Sequence, residues 1–261
     1  MNFRKVIQTY GYPIISKEVS KRVSEYHNAE RKGTLESSNA YKEFNGILLS
    51  NDGQKSIYNK EKWKFLVESD FKISNKCCDI MKKKPLHQYE KQTGFHAIVG
   101  TLAEESQSRK KSWYKTGCNA FDSKTPISKP MSFWTEQDVL EYINKYVQPI
   151  METLWKQAQF SHGSMRKKAR KQLKKINYIR YSYASVYGEI LQDDNGKYYT
   201  TGCNRTGCVF CGFGCHLEKE PNRFQMLKET HPKLWNYCMK PWDDGGLGMK
   251  KVLQYIGVKY E

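Results

Sequence analysis

Six of the eight cysteines in this sequence fall into two groups whose spacing suits metal or redox chemistry. The first group is the adjacent pair Cys77 and Cys78, and the second lies within thirteen residues and consists of Cys203, Cys208, Cys211 and Cys215. Cys208 and Cys211 form a C-x2-C pair, a spacing that lets one turn direct two thiolates at one centre. Clustered thiols in a reducing compartment indicate metal binding rather than disulfides.

Two kinds of metal centre use such thiols, a tetrahedral zinc ion and an iron–sulfur cluster. Adjacent cysteines point apart along an extended backbone, so Cys77 and Cys78 would share one zinc ion poorly. A cubane offers each thiolate a separate iron corner, and we therefore predict an iron–sulfur centre. Two alternatives stay open, buried structural thiols and a local zinc loop, whose ligands would be Cys203, Cys208, Cys211 and Cys215.

The segment GTLAEESQSR, residues 100–109, carries a second set of polar residues. The apolar run FHAIV before it predicts a buried strand, and Gly100 closes that run. Glu105, Ser106 and Arg109 then stand at the start of a polar helix. Free backbone N–H groups, a hydroxyl and a guanidinium together suit a sulfate or phosphate. The segment predicts an anion pocket, with an ordinary capped surface helix as the alternative.

Hydrophobic periodicity and capping signals predict a helix-rich α/β domain around these residues. GYPIIS at 11–16 predicts an extended segment, because proline breaks the preceding helix, and residues 17–31 predict a helix. A further helix is predicted over 132–146, where Thr135 and Asp138 have the spacing of a capping box.

A strongly basic stretch, residues 149–183, predicts a helical hairpin that binds nucleic acid. The chain has a formal net charge of +17, which attracts polyanions. The candidate RNA- or DNA-binding residues are Arg166, Lys167, Lys168, Arg170 and Lys171. The aromatic residues that could stack on bases are Trp155, Phe160, Tyr178, Tyr181 and Tyr183. The alternative is a solvated basic face that only adds solubility.

The sequence contains no apolar run near the length that a membrane helix needs, about 18 residues. Its first residues, MNFRKVIQTYGYPIIS, lack the long apolar core and small-residue cleavage site of a signal peptide. We therefore expect a cytoplasmic protein with no membrane partner.

Four motifs in one order resemble the phosphoadenosine phosphosulfate (PAPS) and adenylyl-sulfate reductase family of adenine nucleotide hydrolases. They are KCCDIMKKKPL at 76–86, FHAIVGTLAEESQSR at 95–109, SFWTEQDVLEYI at 132–143 and GCVFCGFG at 207–214. The chain looks closest to reductase-like proteins of bacteria and phages. The resemblance implies an incomplete α/β core of the adenine nucleotide alpha-hydrolase-like type over 1–148. Two further segments would follow this core. The first is the basic helical insertion at 149–183, and the second is a Cys-rich region at 184–261 that binds the cluster and ends in helices.

The resemblance also implies a cofactor and a substrate. A 4Fe–4S cluster would be held by Cys77, Cys78, Cys208 and Cys211, with Cys203 or Cys215 as alternates. The family positions near the substrate sulfate match Gly100, Glu105, Ser106 and Arg109. The substrate would be an adenine nucleotide.

Three features depart from the family pattern. The sequence lacks the loop that binds nucleotide phosphates in the family, which has a Ser-Gly-Gly-Lys-Asp-Ser-like sequence. It also lacks the family's C-terminal tail of the Glu-Cys-Gly-Leu-His type. Leu102 stands where the family often has arginine. No catalytic residue is therefore assigned, and we expect another polypeptide or a second copy of the chain to supply the loop. The expected function is sulfur or adenine-nucleotide chemistry within that assembly. The alternatives are a non-catalytic, cluster-stabilised module that binds nucleic acid or protein, and a sulfurtransferase acting on tRNA or DNA.

Overall fold

The computed structural model describes residues 1–123, 125–172, 187–202 and 207–261, and it divides the chain into two compact units. Unit 1 comprises Met1–Gln92 and Cys208–Glu261, and unit 2 comprises Thr93–Gly207. This division crosses the three predicted segments, because the chain leaves unit 1 after Gln92 and returns to it at Cys208. Four residues named above lie outside the described residues: Cys203, Tyr178, Tyr181 and Tyr183.

Short strands and numerous helices make up both units. In chain order the α-helices are α1 (Phe3–Tyr10), α2 (Lys17–Arg31), α3 (Asn39–Phe44), α4 (Lys76–Cys78), α5 (Lys84–Thr93), α6 (Gln107–Thr116), α7 (Glu136–Tyr142), α8 (Gln148–Phe160), α9 (residues 163–172), α10 (Arg223–Thr230), α11 (Pro232–Met239) and α12 (Met249–Tyr255). Segments of 3₁₀-helix cover Glu61–Glu68, Ala103–Glu105 and Cys215–Leu217, and π-helical turns cover Asp79–Lys83 and Ile143–Val147. The strands are β1 (Ile14–Ile15), β2 (Ala97–Ile98), β3 (Asn119–Ala120), β4 (Ile127–Ser128), β5 (Ile190–Gln192), β6 (Tyr198–Thr200) and β7 (Gly212–Phe213).

Local capping signals fix the starts of two predicted helices, although the second begins at Glu136 and not at residue 132 as predicted. The Ser16 hydroxyl accepts a hydrogen bond from the Val19 N–H at 3.1 Å, which fixes the start of α2. Thr135 and Asp138 form a capping box at the start of α7, with the Asp138 carboxylate 2.7 Å from the Thr135 N–H. Both helices therefore begin where short-range chemistry favours them.

Residues 12–15 cross the middle of unit 1 and hydrogen-bond to two distant parts of the chain. The Tyr12 N–H donates to the Lys72 carbonyl at 2.7 Å, and the Ser74 N–H donates to the Tyr12 carbonyl at 3.1 Å. Beyond this bridge, β1 pairs in parallel with β7, with Ile14 opposite Gly212. The segment thus joins the chain just before Cys77 to the chain just after Cys211.

The apolar core of unit 1 surrounds this segment. Fully buried side chains come from both ends of the sequence, among them Val6, Ile14, Phe44, Leu66, Phe224 and Leu253. Ile15 is buried as well, and its φ of 61° lies in the left-handed region that β-branched residues rarely adopt. Such a conformation costs about 1–3 kcal/mol. The Gly214 N–H, which donates to the Ile15 carbonyl at 2.8 Å, helps to hold it.

Unit 2 contains the remaining strands. β2 pairs in parallel with β4, β3 pairs with β4 in the antiparallel sense, and β5 and β6 form an antiparallel hairpin. The prediction of a strand in FHAIV is confirmed only for Ala97–Ile98, and the prediction that this strand is buried is wrong. Phe95 is 66% exposed and Ile98 is 77% exposed. The reason is that a sheet built from two-residue strands covers little area on either face.

The basic stretch forms a helical hairpin from α8 and α9, as far as residue 172. Leu154 and Ala158 pack against Ala169 across the hairpin. The Arg166 Nε donates to the Ala158 carbonyl at 3.2 Å, so this guanidinium ties the second helix to the end of the first. None of the helices in the described ranges combines the length and apolarity that a membrane span requires.

A network of ion pairs around a buried carboxylate connects α2, α3 and the segment before the 3₁₀-helix Glu61–Glu68 in unit 1. The Glu43 side chain is 1% exposed, and its carboxylate lies 2.7 Å from the Arg22 Nη2 and 2.7 Å from the Lys60 Nζ. Arg22 belongs to α2, Glu43 to α3, and Lys60 precedes the 3₁₀-helix. Each cation also has an exposed carboxylate partner, since Arg22 pairs with Glu25 and Lys60 pairs with Glu18. Removing the Glu43 charge would therefore leave both cations with exposed partners alone.

We predict that Glu43→Gln lowers the free energy of unfolding of unit 1 by about 2 kcal/mol, because Arg22 and Lys60 lose charge-assisted hydrogen bonds to a buried carboxylate. Hydrogen exchange of α2 and α3 amides in increasing urea measures this. The matched control is Glu25→Gln, since Glu25 contacts the same Arg22 at 2.7 Å but is 38% exposed. We expect the control to cost less than about 1 kcal/mol. Equal losses in the two variants would contradict a special role for the buried network.

Candidate metal centre and anion-binding loop

Cys77 and Cys78 lie on α4, at the start of a helical stretch that continues through Asp79–Lys83 into α5. The backbone is therefore helical at this pair, and the extended conformation assumed for it in the sequence argument is wrong. Successive residues of a helix point about 100° apart, so the two thiols still diverge. Cys77 is buried at 6% exposure and Cys78 is half-buried.

The second pair of thiols lies on a tight turn that leads into β7. The Cys211 N–H donates to the Cys208 carbonyl at 3.0 Å, which closes the turn. Gly212 follows, and a Cβ at this position would lie 2.8 Å from the Pro13 carbonyl oxygen. Glycine is therefore required for β7 to approach β1 so closely. Arg223 braces the turn from α10, because its Nη1 donates to the Cys211 carbonyl at 3.0 Å.

The structure brings the Cys77–Cys78 pair and the Cys208–Cys211 pair within electrostatic range of one another. Burial raises the pKa of Cys77 to about 12, and repulsion from Cys78, Cys211 and Cys208 adds to the increase. Burial also raises the pKa of Cys211, against the lowering effect of a hydrogen bond from the Phe213 N–H. A shared metal centre requires this proximity of four thiols from two segments, and the ligand set itself stays a prediction.

Lys82 is a further member of the site that the sequence reasoning missed. Its ammonium donates a hydrogen bond to the Cys208 sulfur, and the charge of Cys208 is the first cause of its raised pKa. Cys78 and Cys211 raise the pKa further. The sequence does contain a signal for Lys82. Cys78 and Lys82 are four residues apart, a spacing that places both on one side of a helix. That signal was obscured by the run of three lysines at 82–84.

Cys215, predicted as an alternate ligand, lies in the core and within electrostatic range of Cys211. It is 1% exposed and packs in an apolar cluster with Phe224 and Leu253. Its Sγ donates to the Gly212 carbonyl at 3.1 Å, and burial raises its pKa to about 11. These contacts suit a structural thiol, and its role as an alternate ligand stays a prediction.

The donor chemistry of the site fits a cluster bound through thiolates. Among the residues that the structure describes, no three His, Cys, Asp or Glu side chains converge as closely as a single metal ion requires. A zinc ion with bonds near 2.3 Å would hold its sulfurs within about 4 Å of one another, whereas a cubane separates its ligands by the width of the cluster. The four thiols, with Lys82 next to Cys208 and the Phe213 N–H bonded to Cys211, would supply the thiolates that such a cluster needs.

The predicted anion-binding residues lie together at the start of α6 in unit 2, but they contact each other. The Ser106 hydroxyl accepts from the Arg109 N–H at 3.3 Å and caps the helix. Glu105 accepts from the Leu102 N–H at 3.0 Å and forms an ion pair with the Arg109 guanidinium. A Cβ at Gly100 would meet only the Met131 sulfur at 3.6 Å, an ordinary contact, so the backbone does not require glycine there.

The predicted nucleic-acid-binding residues are on α9, and they differ in exposure. Lys167, Lys168, Arg170 and Lys171 are exposed, whereas Arg166 is half-buried through its bond to Ala158. Four of the five therefore present free charge to solvent.

Comparison with known proteins identifies one family. The family model described as the phosphoadenosine phosphosulfate reductase domain matches residues 7–212, which include all four cysteines of the candidate centre and the loop 100–109. Neither the curated proteins nor the solved structures contain a match. The predicted fold class, a helix-rich α/β domain of the adenine nucleotide alpha-hydrolase-like type, is confirmed. Since the match covers well over half of the sequence, the chain belongs to the phosphoadenosine phosphosulfate reductase domain family.

Proposed function

We propose that this protein holds a 4Fe–4S cluster on Cys77, Cys78, Cys208 and Cys211 and takes part in sulfur or adenine-nucleotide chemistry. The observation that supports the cluster most strongly is the mutual influence of the four thiols, which come from segments 130 residues apart in sequence. Family membership supports the sulfonucleotide class of chemistry.

The residues around the centre have separate tasks in this proposal. Lys82 offsets the negative charge that four thiolates accumulate, which lowers the cost of keeping them deprotonated in a buried place. Arg223 holds the turn that carries Cys208 and Cys211. When bound, an iron–sulfur cluster supplies electron storage or a charged, rigid anchor for both segments.

We predict that the chain purified without oxygen contains roughly four iron and four sulfide per molecule, and that Cys77→Ser and Cys208→Ser each abolish this content. Cys118→Ser is the matched control, because Cys118 belongs to unit 2 and to neither cysteine group. Iron, sulfide and zinc analysis with visible absorption spectra gives the measurement.

One zinc ion per chain in both the parent and Cys77→Ser would contradict the cluster. That result would favour the local zinc loop of Cys203, Cys208, Cys211 and Cys215. Iron loss in Cys118→Ser as severe as in Cys77→Ser would show that the assay reports general damage and not ligand loss.

We further infer that the active assembly includes another polypeptide, or a second copy of this chain, that supplies the nucleotide-phosphate loop. The sequence contains no Ser-Gly-Gly-Lys-Asp-Ser-like loop. Parallel strand pairs are normally covered on both faces, yet β2, which pairs in parallel with β4, exposes 77% of Ile98. An added strand or helix would bury this apolar surface and pair the open strand edge.

We predict that the chain by itself, as a monomer, does not bind ATP, adenylyl sulfate or PAPS with micromolar affinity. The physical reason is that the first strand–loop–helix unit of such folds supplies most phosphate contacts. Isothermal titration with the three nucleotides, together with the mass in solution from light scattering, provides the test. Micromolar nucleotide binding by a monomer would show that no second polypeptide is required.

The exposed cations of α9 support a second candidate function, binding to tRNA or DNA. Four charges within five residues, Lys167, Lys168, Arg170 and Lys171, are held on a helix by the α8–α9 packing. Such a surface suits either a sulfurtransferase acting on a polynucleotide or a non-catalytic binding module. A nucleic-acid backbone bound there would release counterions, which makes binding steeply salt-dependent.

We predict that replacing Lys167, Lys168, Arg170 and Lys171 by glutamine weakens binding to tRNA or duplex DNA. The slope of log K against log salt should become shallower by about 0.9 for each lost duplex phosphate contact. Arg166 is kept, because its bond to Ala158 holds the hairpin. Fluorescence anisotropy over a salt series measures both quantities.

The matched control replaces four exposed lysines of unit 1 by glutamine, namely Lys32, Lys64, Lys219 and Lys233. Both variants lose the same formal charge. Equal weakening in the two variants would indicate non-specific attraction, and no binding by the parent at low salt would exclude this function.

A further inference from the structure

A groove in unit 2 runs beside α7 and the π-helical turn Ile143–Val147 that follows it. Its volume is about 430 Å³, which lies in the range of pockets that bind organic ligands. Four aromatic residues line it, Phe133, Trp134, Tyr142 and Tyr146, and its remaining lining residues are all charged. The groove shares no residue with the thiol centre, the loop 100–109 or the basic hairpin.

Three of these rings form a row on the surface. The ring centroids of Trp134 and Tyr142 are 5.8 Å apart, and those of Tyr142 and Tyr146 are 5.4 Å apart. Tyr142 is 49% exposed and Tyr146 is 59% exposed, so solvent reaches both rings. Aromatic residues are enriched where proteins bind one another, and contiguous exposed apolar surface marks such sites.

The contacts that hold α7 in place come from other residues of the helix. The Gln137 side chain donates to the Tyr198 carbonyl of β6 at 2.9 Å and accepts from the Tyr198 N–H at 2.7 Å. Leu140 is buried at 7% exposure. The helix is therefore anchored without the two exposed tyrosines, whose rings stay accessible to a ligand.

The charged residues of the groove make it acidic. The Asp138 Oδ2 accepts from the Thr135 N–H at 2.7 Å and from the Thr135 hydroxyl at 2.8 Å, while its Oδ1 has no hydrogen bond within the described ranges. Glu141 pairs with Lys145, but both side chains are about half exposed, and such pairs contribute little. Two carboxylates and one ammonium give the groove a net charge of −1, in a chain whose formal net charge is +17. The groove therefore favours a cation and repels a phosphate.

The chemistry of the lining favours one mode of peptide recognition. An amphipathic helix docks into a hydrophobic groove, whereas polyproline II segments dock onto aromatic-lined grooves. This groove is lined by aromatic rings and by no aliphatic side chain. A polyproline II helix rises about 3.1 Å per residue, so each interval between neighbouring rings corresponds to about two residues. Its backbone carbonyls are unpaired and can accept from the hydroxyls of Tyr142 and Tyr146, which bond to no other residue within the described ranges.

We propose that this groove binds an extended, proline-rich segment of a partner protein that carries arginine or lysine beside its prolines. The rings of Trp134, Tyr142 and Tyr146 contact the prolines. The carboxylates of Asp138 and Glu141 pair with the cation, which also lies against the aromatic row. The interaction is non-covalent and requires neither a cluster nor a nucleotide. It goes beyond the proposed function and is tested separately from it.

The test is fluorescence anisotropy of a labelled polyproline peptide that contains two arginines, titrated with the full chain. We expect saturable binding. Tyr142→Ala and Tyr146→Ala should each weaken it at least about fivefold, because truncating an aromatic anchor removes much of the binding energy of an interface. Glu141→Lys should weaken binding about tenfold by repelling the arginines, and it should have little effect on the same peptide with glutamine in place of arginine.

The matched controls are Tyr114→Ala and Glu152→Lys, which change exposed residues of unit 2 outside the groove. Circular dichroism checks the fold of every variant. Glu141→Lys keeps the test decisive where a tyrosine variant loses helix, because the Glu141 side chain is about half exposed and its only ion pair within the described ranges is the weak one with Lys145.

Absence of saturable peptide binding by the parent, or equal weakening by a groove variant and its control, would overturn the proposal. The parent is also titrated with oligothymidine, and its mass in solution is measured by light scattering. Oligothymidine binding or dimer formation that is lost in Tyr142→Ala, without peptide binding, would assign the groove to nucleobases or to a second copy of the chain and would likewise overturn the proposal.

Discussion

The backbone hydrogen bonds of residues 12–15 are the constraint on which unit 1 depends. Tyr12 is bonded to Lys72 and Ser74, while Ile14 and Ile15 lie opposite β7. These few bonds align two segments that are more than 130 residues apart, and each segment carries one pair of cysteines. The unfavourable φ of Ile15 is tolerated because the surrounding core and the Gly214 N–H determine its position. A backbone this constrained is suited to hold two pairs of ligands at a constant separation.

Electrostatics explains why a site of this kind needs more than cysteines. Burial and repulsion between neighbouring thiols raise the pKa of Cys77 and of Cys211, which favours their neutral forms. The Lys82 ammonium brings a positive charge to the same group of thiols. Elsewhere in unit 1, the buried Glu43 carboxylate is paired with Arg22 and Lys60. In both places a negative or ionisable group is accompanied by a cation from a separate segment, so the pairing depends on tertiary packing.

Unit 2 handles charge differently, since most cations in its described ranges have no carboxylate partner. The exposed cations of α9 extend into solvent. Such a surface suits a long polyanion, where the sum of many weak and salt-sensitive contacts matters.

The sequence by itself determined the features that depend on neighbours a few residues away. The capping box of Thr135 and Asp138, the start of α2 after Ser16 and the C-x2-C turn follow from local hydrogen bonds and could be predicted. The order of the motifs also identified the family. Only the tertiary structure decided that Cys215 and Cys238 lie in the apolar core and that Lys82 faces Cys208. These features depend on the pairing of distant segments, because burial and the approach of charges are properties of the packed chain and have no signature in local spacing.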